Sequence, residues 1–309
     1  MSDNQSGGKS TNDGRQLADQ VLGRRIAALQ TRATVLARDG IAGLQTAAVF
    51  SIDAPPDLML LKAASKGFLL GLGDSWFDYF AMDALDSLQN DIGYIRTSVA
   101  EAGTSLKSIA KVPAQLERLS EEIEKTVGGV APKAILLSGG GNDLVDFGIE
   151  NLLNDFGSGL PPLKENAVKQ LIDEDMESAL TVILNAVTAL CRKWLGKTIP
   201  ILIHGYDYPI PDGRPLVLPP RGPWLEKGFI DKGYDKLDLG PRTKVMKTLI
   251  DRLNEMQLTV VAKKGLEHVK HVELRGSLAA ADYTTMWGNE LHPTRDGFKV
   301  VARKFAKAL

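Results

Sequence analysis

The sequence predicts an open three-layer α/β domain on a mostly parallel five-stranded sheet, and three observations favour it. From Gly67 onward, short apolar runs alternate with segments of helical periodicity, which is typical of parallel strands joined by crossover helices. The chain has 309 residues, about the upper size for one hydrophobic core. Its 44% hydrophobic and 24% charged residues match an ordinary globular protein. Right-handed crossovers would then cover both faces of the sheet with helices.

The predicted elements follow one another in a regular order. The runs predicted as strands are Phe68–Gly73, Ile92–Ala100, Ala134–Ser138, Ile199–His204 and Val269–Leu274. Helical patterns cover Ser105–Thr126, Ala167–Leu195 and Pro241–Lys264, and a final amphipathic helix follows Gly297. Functional groups in such sheets gather at the carboxyl edge of the strands, so residues just past each run are the first candidates for a site.

The N-terminal part differs in character from the rest of the chain. Residues 1–14 are polar and predict a disordered tail. Residues 15–57 carry apolar side chains at mostly helical spacing and end in a linker that contains Pro55 and Pro56, so they predict a helical extension. The main domain is expected at 58–309. We expect the extension to pack on this domain or to pair with a second copy of the chain, in preference to a membrane-surface role.

The segment Tyr206–Gly240 is dense in proline and aromatic residues and shows no strand or helix pattern. A structureless segment of that length in a compact domain tends to be a lid or a binding loop. Its aromatic residues, with Trp76, Phe77 and Trp287, suggest a pocket for an apolar chain or a sugar face. The alternative is that these large side chains pack in the core.

Charge and cysteine content exclude several classes of protein. The 37 basic and 38 acidic residues give a net charge of -1, which does not favour nucleic acid or an anionic membrane as a partner. The single cysteine, Cys191, cannot form an internal disulfide and is expected to be a small core residue. A signal peptide and a membrane-spanning run are both absent from the sequence, so the cytoplasm is the expected location. Secretion without a signal peptide stays open.

The segment Gly71–Phe80 reads Gly-Leu-Gly-Asp-Ser-Trp-Phe-Asp-Tyr-Phe, an apolar strand that leads into Gly-Asp-Ser. A serine at the tip of a buried strand is well placed for nucleophilic attack, so Ser75 is the first catalytic candidate. Trp76 follows it, whereas α/β-hydrolases have Gly-x-Ser-x-Gly, so a different hydrolase class is indicated. The alternative is that Ser75 caps a helix that begins at Trp76.

Two later segments supply matching chemistry. Ala134–Asp143 is an apolar strand followed by three glycines and Asn142, whose amide can donate to a developing negative charge or can merely occupy a turn. The glycines also resemble a phosphate loop, but the Gly-Lys-Ser/Thr ending is missing. Asn289–Pro293 supplies His292, a candidate general base. The other histidines are expected to be structural or solvated, with His204 nearest a strand end; they are His204, His268 and His271.

Together, Gly-Asp-Ser, the later Gly-x-Asn-Asp and the C-terminal His-Pro resemble the SGNH, or GDSL-type, hydrolase family over most of the chain. The resemblance implies a flavodoxin-like α/β/α fold. It implies that Ser75 is the nucleophile, that His292 is the general base, and that no metal or organic cofactor is required. It further implies an oxyanion hole formed by the Ser75 amide, the Gly103 amide and the Asn142 side chain. Gly103 could instead serve as a turn before a helix capped by Thr104 or Ser105.

The third member of the triad departs from the family pattern. The family places an aspartate three residues before the histidine, and Asn289 stands there. An asparagine carbonyl can orient the imidazole but lends no negative charge to it. Glu290 could supply that charge if its side chain turned inward, and Asp282 is a more distant candidate. A Ser–His pair held by backbone alone is the remaining possibility.

These features predict a carboxylic ester hydrolase of the esterase, lipase or deacetylase type. It would act through an acyl-enzyme on Ser75, and its substrate would be a small-molecule, lipid or glycan ester. Two alternatives stay open. One is a catalytically impaired binding or scaffold protein of the same fold, with Arg15–Phe50 as its interaction surface. The other is a flavodoxin-like binder of phosphate or nucleotide that uses Gly139–Asn142.

Overall fold

The computed structural model describes residues 3–38, 65–80, 82–217 and 220–309. Its centre is a five-stranded sheet in the order β2-β1-β3-β4-β5, and every neighbouring pair runs parallel. The strands are β1 Phe68–Leu72, β2 Ile95–Ser98, β3 Ala134–Leu137, β4 Ile201–His204 and β5 Val269–Val272. This confirms the predicted fold class, and each strand lies within the run predicted for it.

Helices precede, connect and follow the strands. The α-helices of the described residues are α1 Asp3–Arg38, α2 Ala84–Ser87, α3 Leu106–Lys111, α4 Ala114–Glu124, α5 Gly141–Phe147, α6 Ile149–Leu152, α7 Glu165–Val168, α8 Glu177–Leu195, α9 Glu226–Asp231, α10 Leu239–Val261 and α11 Arg295–Ala308. The helices α2 and α11 pack against each other, whereas α3, α4 and α10 surround α8. The two groups cover opposite faces of the sheet, which gives the three layers.

Burial along the strands follows from this arrangement. Strands β1, β3 and β4 are buried at every residue, which suits their unbroken apolar sequences, since a central parallel strand is covered on both faces. The edge strands β2 and β5 are partly exposed. In the register of the sheet, Leu72 lies opposite Leu137, so the turns that follow β1 and β3 lie side by side. The strand order reverses between these two strands, and such switch points are where ligands bind.

Two predicted helices are subdivided. Pro113 separates α3 from α4, because proline disfavours helical geometry in the residue before it, and Ser105 caps α3 through the backbone of Ser108. A π-helical segment at Lys169–Met176 joins α7 to α8. Cys191 lies buried on α8, as expected of a core residue.

The structure corrects the prediction for the N-terminal region. Residues 3–14, expected to form a disordered tail, belong to α1, which packs on α8 and α4. Small residues allow this: a Cβ on Gly14 would lie 2.6 Å from the carbonyl oxygen of Val182, and the hydroxyls of Ser10 and Ser178 are 2.9 Å apart. Further along, Arg25 pairs with the buried Glu124 of α4 at 2.6 Å. Polar composition alone gave no sign of this helix-on-helix contact.

The extension does not form a separate core. Leu17, Ala18, Val21 and Leu22 belong to the same buried cluster as the sheet residues. The linker expected at 51–57, with the rest of 39–64, lies outside the described residues. None of the helices in the described part of the chain combines the length and apolar character that crossing a membrane requires.

The segment Tyr206–Gly240 was expected to lack regular structure, but part of it is helical. It contains α9, and Leu216 and Arg221 form an isolated antiparallel bridge. Arg242 of α10, which is almost completely buried, forms an ion pair at 3.3 Å with Glu226 of α9. The segment is therefore held to α10 at Glu226, and its role as a lid stays a prediction.

Candidate active site

Ser75 and His292 meet at the carboxyl edge of the sheet. Ser75 follows β1, His292 precedes α11, and the Ser75 Oγ lies 2.8 Å from the Nε2 of His292. A second contact joins the two segments, since the indole Nε1 of Trp76 donates to the Leu291 carbonyl at 3.1 Å. The sharp turn at Gly73 makes this placement possible: its φ is +136°, and a Cβ there would lie 2.1 Å from the Ser138 carbonyl oxygen.

Asn289 lies where the sequence predicts the third member of a triad. Its Oδ1 accepts from the His292 Nδ1 at 3.0 Å and from the backbone amides of Leu291 and His292 at 2.9 and 3.0 Å. Its Nδ2 donates to the Tyr79 hydroxyl at 3.2 Å. Because three N–H groups converge on one oxygen, the amide is held with that oxygen toward the ring. The Nδ1 of His292 therefore carries the proton, and the Nε2 lone pair faces the serine.

Aromatic rings enclose the imidazole of His292. The ring of Tyr79 stacks on it with centroids 4.4 Å apart, and Trp224 meets it edge-on at 5.9 Å. Burial lowers the pKa of His292 to about 4, because the charged form loses its hydration. The imidazole is therefore neutral, and able to accept a proton, over the whole physiological pH range.

Glu290 does not complete the triad, which corrects one of the two assignments left open by the sequence. Its buried carboxylate accepts four backbone amides of the Tyr206–Gly240 segment at 2.6 to 3.0 Å; they belong to Gly213, Trp224, Leu225 and Glu226. Desolvation nevertheless raises the pKa of Glu290. The side chain thus anchors this segment beside the site. Asp282, the more distant candidate, caps the turn at Thr284 instead.

The predicted oxyanion donors lie beside Ser75. Asn142 stands in the first turn of α5, and its Nδ2 donates to the Thr104 carbonyl at 3.0 Å. That contact uses one of the two N–H bonds of the amide and fixes its direction, which leaves the second for a ligand. Gly103 lines a cavity together with Ser75, Asn142 and His292. Ser105 caps α3, so a turn role and an oxyanion role for Gly103 coexist.

Two residues missed by the sequence hold these loops in place. Gln115, buried on α4, accepts from the Gly73 amide at 3.2 Å and donates to Thr104 Oγ1 at 3.0 Å, so it bridges the turn at Gly73 and the Gly103 loop. Asp143 accepts the backbone amides of the first turn of α3 at 2.8 and 3.1 Å, and desolvation raises its pKa to about 6. The one feature of the sequence that could have indicated these contacts is a glutamine, Gln115, among the buried positions of α4.

A second hydrogen-bonded chain lies next to Ser75 in the sequence and starts at Asp74. The carboxylate of Asp74 accepts from the Trp76 amide, from the Ser138 hydroxyl and from the Tyr206 hydroxyl. The Ser138 Oγ also lies 2.9 Å from the Nε2 of His204. Asp74 follows β1, Ser138 follows β3 and His204 ends β4. The hydrogen-bonded chain therefore connects the carboxyl ends of three neighbouring strands. Desolvation raises the pKa of Asp74 and lowers that of His204 to about 4.

Two cavities open beside Ser75, and both are lined by Ser75, Asn142, Leu291 and His292. The narrow cavity, about 40 Å³, extends under Trp76 and Trp287 toward α10. The wide cavity, about 550 Å³, lies on the side of Tyr79, Phe80 and Trp224. The expected aromatic lining is thus present in part. Phe77 instead packs in the core against His204 and Phe305.

Comparison with known proteins adds a likeness of fold. No family model and no curated protein matches the sequence. A lipase, Lip_vut3, from a goat rumen metagenome is similar in structure, with a TM-score of 0.45 and 11% identity over 78% of this chain and 96% of that chain. A catalytic mutant of Axe2, an acetylxylan esterase from Geobacillus stearothermophilus, has a TM-score of 0.44 and 14% identity over 80% and 95%. TesA has a TM-score of 0.39 and 16% identity over 78% and 97%.

At these identities the chemistry rests on this chain's own residues. The three motif segments on which the resemblance to the SGNH hydrolases depends meet at one edge of the sheet, as that resemblance implies. Within the described residues, no group of three or more His, Cys, Asp or Glu side chains is placed to hold a metal ion.

Proposed function

We propose that the protein is an SGNH-type serine hydrolase that cleaves carboxylic esters through an acyl-enzyme on Ser75. One observation carries the proposal: the Ser75 hydroxyl, the His292 ring and the Asn289 amide form a continuous hydrogen-bonded relay of 2.8 and 3.0 Å. The Nε2 of His292, which accepts the proton, faces the Ser75 hydroxyl, and both residues line the two cavities. A nucleophile, a base and a group that orients the base are the parts that acyl transfer needs.

In the first step the Ser75 Oγ attacks the ester carbonyl carbon while His292 Nε2 takes its proton. The carbonyl oxygen becomes an oxyanion, for which the second N–H of Asn142 and the backbone amides of Ser75 and Gly103 are the donors. The intermediate then collapses. The bond to the alcohol oxygen breaks, His292 returns the proton to that oxygen, and the alcohol leaves.

In the second step water attacks the acyl group on Ser75, and His292 again takes the proton. Collapse releases the carboxylic acid and returns the proton to the Ser75 oxygen. The low pKa of His292 suits the role of base, because the neutral ring is present whenever water or serine must be deprotonated.

The neutral Asn289 does not disqualify this mechanism. In a serine triad, replacement of the acid by an amide costs activity largely because the imidazole adopts the wrong tautomer. Here two backbone amides and the Tyr79 hydroxyl hold the Asn289 oxygen toward Nδ1, so the productive tautomer is enforced. The missing negative charge is offset in part by the Tyr79 ring, whose face lies against the imidazolium as it forms.

The phosphate-binding alternative has less support. The narrow cavity beside the glycine turn contains Asp74 and Asp207 in its wall. Among the described residues that line it there is no lysine or arginine. Carboxylates without a cation repel a phosphate group. The scaffold alternative rests on Asn289 alone, and the experiment below separates it from catalysis.

The test is labelling by a small fluorophosphonate together with turnover of p-nitrophenyl acetate. The wild type should label and turn over, and Ser75→Ala should lose both. Ser87→Ala, at a buried serine of α2, is the matched control and should retain both. A folded wild type that neither labels nor turns over would favour the scaffold alternative, and labelling that survives in Ser75→Ala would place the nucleophile elsewhere.

A further inference from the structure

The narrow cavity and the wide cavity differ in size and lining, although they share the catalytic residues. Besides the residues named above, the narrow cavity is walled by buried apolar side chains: Leu144, Pro209, Leu225, Met246, Ile250 and Trp287. The wide cavity has Asp78, Glu101 and Arg221 at its edge, and the ring of Phe80 is 76% exposed there. An ester bound at Ser75 has two sides, and the two cavities offer one almost wholly apolar environment and one of mixed apolar and charged character for them.

From this difference we infer, on the basis of the proposed function, that the enzyme selects short acyl groups of two to four carbons attached to a bulky polar alcohol. The acyl chain occupies the narrow cavity, because most of the wall apart from Asp74 and Asp207 consists of buried apolar side chains, and moving a carbon chain from water into such surroundings is favourable. The alcohol occupies the wide cavity, where charged and exposed side chains can contact a polar group.

The volume sets the length limit. When cavity volume is measured as the space open to a water-sized sphere, about 10–15 Å³ holds one water molecule. The narrow cavity, at about 40 Å³, therefore holds roughly three non-hydrogen atoms beyond the carbonyl carbon, which corresponds to butyryl as the longest fit. The wide cavity, at about 550 Å³, is more than ten times larger.

The walls of the narrow cavity are fixed, so the limit is a property of the fold. On one side Met246 and Ile250 project from α10, a helix held by the buried ion pair between Arg242 and Glu226. On the other side Leu225 belongs to the segment that Glu290 anchors, and the Leu225 amide itself donates to that carboxylate at 2.8 Å. A longer chain would have to displace a helix or break the contacts of a buried carboxylate.

Met246 is the residue that sets the length. It is buried, its unbranched side chain lines the cavity, and truncation to alanine removes three non-hydrogen atoms from the wall. Met256 is a matched control, because it is buried on the same helix but does not line either cavity as the described residues define them. The two substitutions remove the same atoms from the same kind of core position, so loss of stability alone would affect both.

The experiment measures kcat/KM for p-nitrophenyl esters from acetate to dodecanoate. For the wild type we expect a fall of at least about tenfold between butyrate and octanoate, since an apolar pocket distinguishes single methylene groups by about 10- to 200-fold. Met246→Ala should move the optimum two to three carbons toward longer chains, as roughly three atoms are removed. Met256→Ala should keep the wild-type profile. Ile250→Val, a smaller truncation, serves as the second variant if Met246→Ala does not fold, with a shift of about one carbon expected.

Each outcome bears on the inference. A wild type that prefers octanoate or longer esters would overturn it, and so would identical profiles for Met246→Ala and Met256→Ala. The absence of turnover on every ester, with no fluorophosphonate labelling, is a different pattern, and it would overturn the proposed function and with it this inference.

Discussion

Two buried histidines of this protein have nearly the same surroundings and different chemistry. His292 lies under the ring of Tyr79 at 4.4 Å, and His204 lies under the ring of Trp76 at 4.8 Å. Burial lowers the pKa of both to about 4. They differ in what their nitrogens contact. The Nε2 of His292 faces the Ser75 hydroxyl, whereas the Nε2 of His204 faces a hydroxyl that already donates to the Asp74 carboxylate.

Burial alone does not make a histidine a general base; the partners of its ring nitrogens do. Aromatic stacking and desolvation act on both rings, so a lowered pKa does not identify the catalytic one. The buried carboxylate closest in role to a triad acid, Asp74, sits in the network of His204. His292, the proposed general base, has the neutral amide of Asn289 instead. The difference that matters is an unshared lone pair beside a nucleophile at the edge of two cavities.

Removal of each ring should therefore have opposite consequences, and this is the largest effect we expect. His292→Ala should lower kcat by roughly 10³-fold or more, because the base is lost, with little change in melting temperature. His204→Ala should cost about 1–3 kcal/mol of unfolding free energy, because Ser138 and the Gly205 carbonyl lose a contact in the core. Steady-state kinetics and urea unfolding of both variants check this. Equal losses of activity at matched stability would contradict the separation of roles.

The next largest effect concerns the oxygen that orients the base. Asn289→Leu keeps the size of the side chain and removes the acceptor from His292 Nδ1. The ring is then free to adopt the other tautomer, and we expect kcat to fall about 10²- to 10⁴-fold. The ¹⁵N chemical shifts of the imidazole should report the tautomer directly. If activity fell by less than about tenfold, the backbone alone would orient the ring and Asn289 would have no role in catalysis.

Restoring a carboxylate tests whether charge is missing from the catalytic site. Asn289→Asp retains the acceptor, and its second oxygen can accept from the Tyr79 hydroxyl in place of the present contact. The carboxylate favours the imidazolium, so it should raise the pKa of His292 above its present value of about 4. Since the base form exists above that pKa, the wild-type kcat/KM should fall only as the pH drops through about 4, and the fall should begin at higher pH in the variant.

We expect the same substitution to raise kcat at neutral pH by up to about tenfold, because the tautomer is already correct and only the charge is added. The pH profile of kcat/KM for the two proteins measures both effects. An unchanged acid limb would mean that the introduced carboxylate does not interact with the ring.

The sequence predicted the parts of this site that are local in the chain. Ser75, Asn142 and His292 each stand in a short motif just beyond a strand or before a helix, and the parallel sheet brings such positions to one edge. The five strands were predictable for the same reason, since a run of buried apolar residues is a local pattern. In α1, helical periodicity is visible only from residue 15 onward, where apolar residues occur. Its polar start, residues 3–14, was wrongly predicted to be disordered.

The parts that depend on contacts between distant residues were not predictable. Glu290 and Asn289 are neighbours in sequence, and only the fold shows that one faces the Tyr206–Gly240 segment and the other faces His292. Gln115 acts through residues far from it along the chain, at Gly73 and at Thr104. The stacking of Tyr79 on His292 likewise joins segments more than 200 residues apart, so no short sequence motif predicts it.

The smallest effect, and the sharpest test of the comparison, concerns that ring. If the Tyr79 face partly replaces the absent carboxylate, Tyr79→Leu should lower kcat by about two- to fivefold, the contribution of a modest cation–π contact. Tyr79→Phe keeps the face and should cost less than twofold, because two backbone amides still hold the Asn289 oxygen. A purely structural role would give the same loss in any background. We expect instead that Tyr79→Leu costs less when combined with Asn289→Asp, because the carboxylate then supplies the charge, and a double-mutant cycle on kcat measures this coupling. Additive losses would show that the ring only packs against the base.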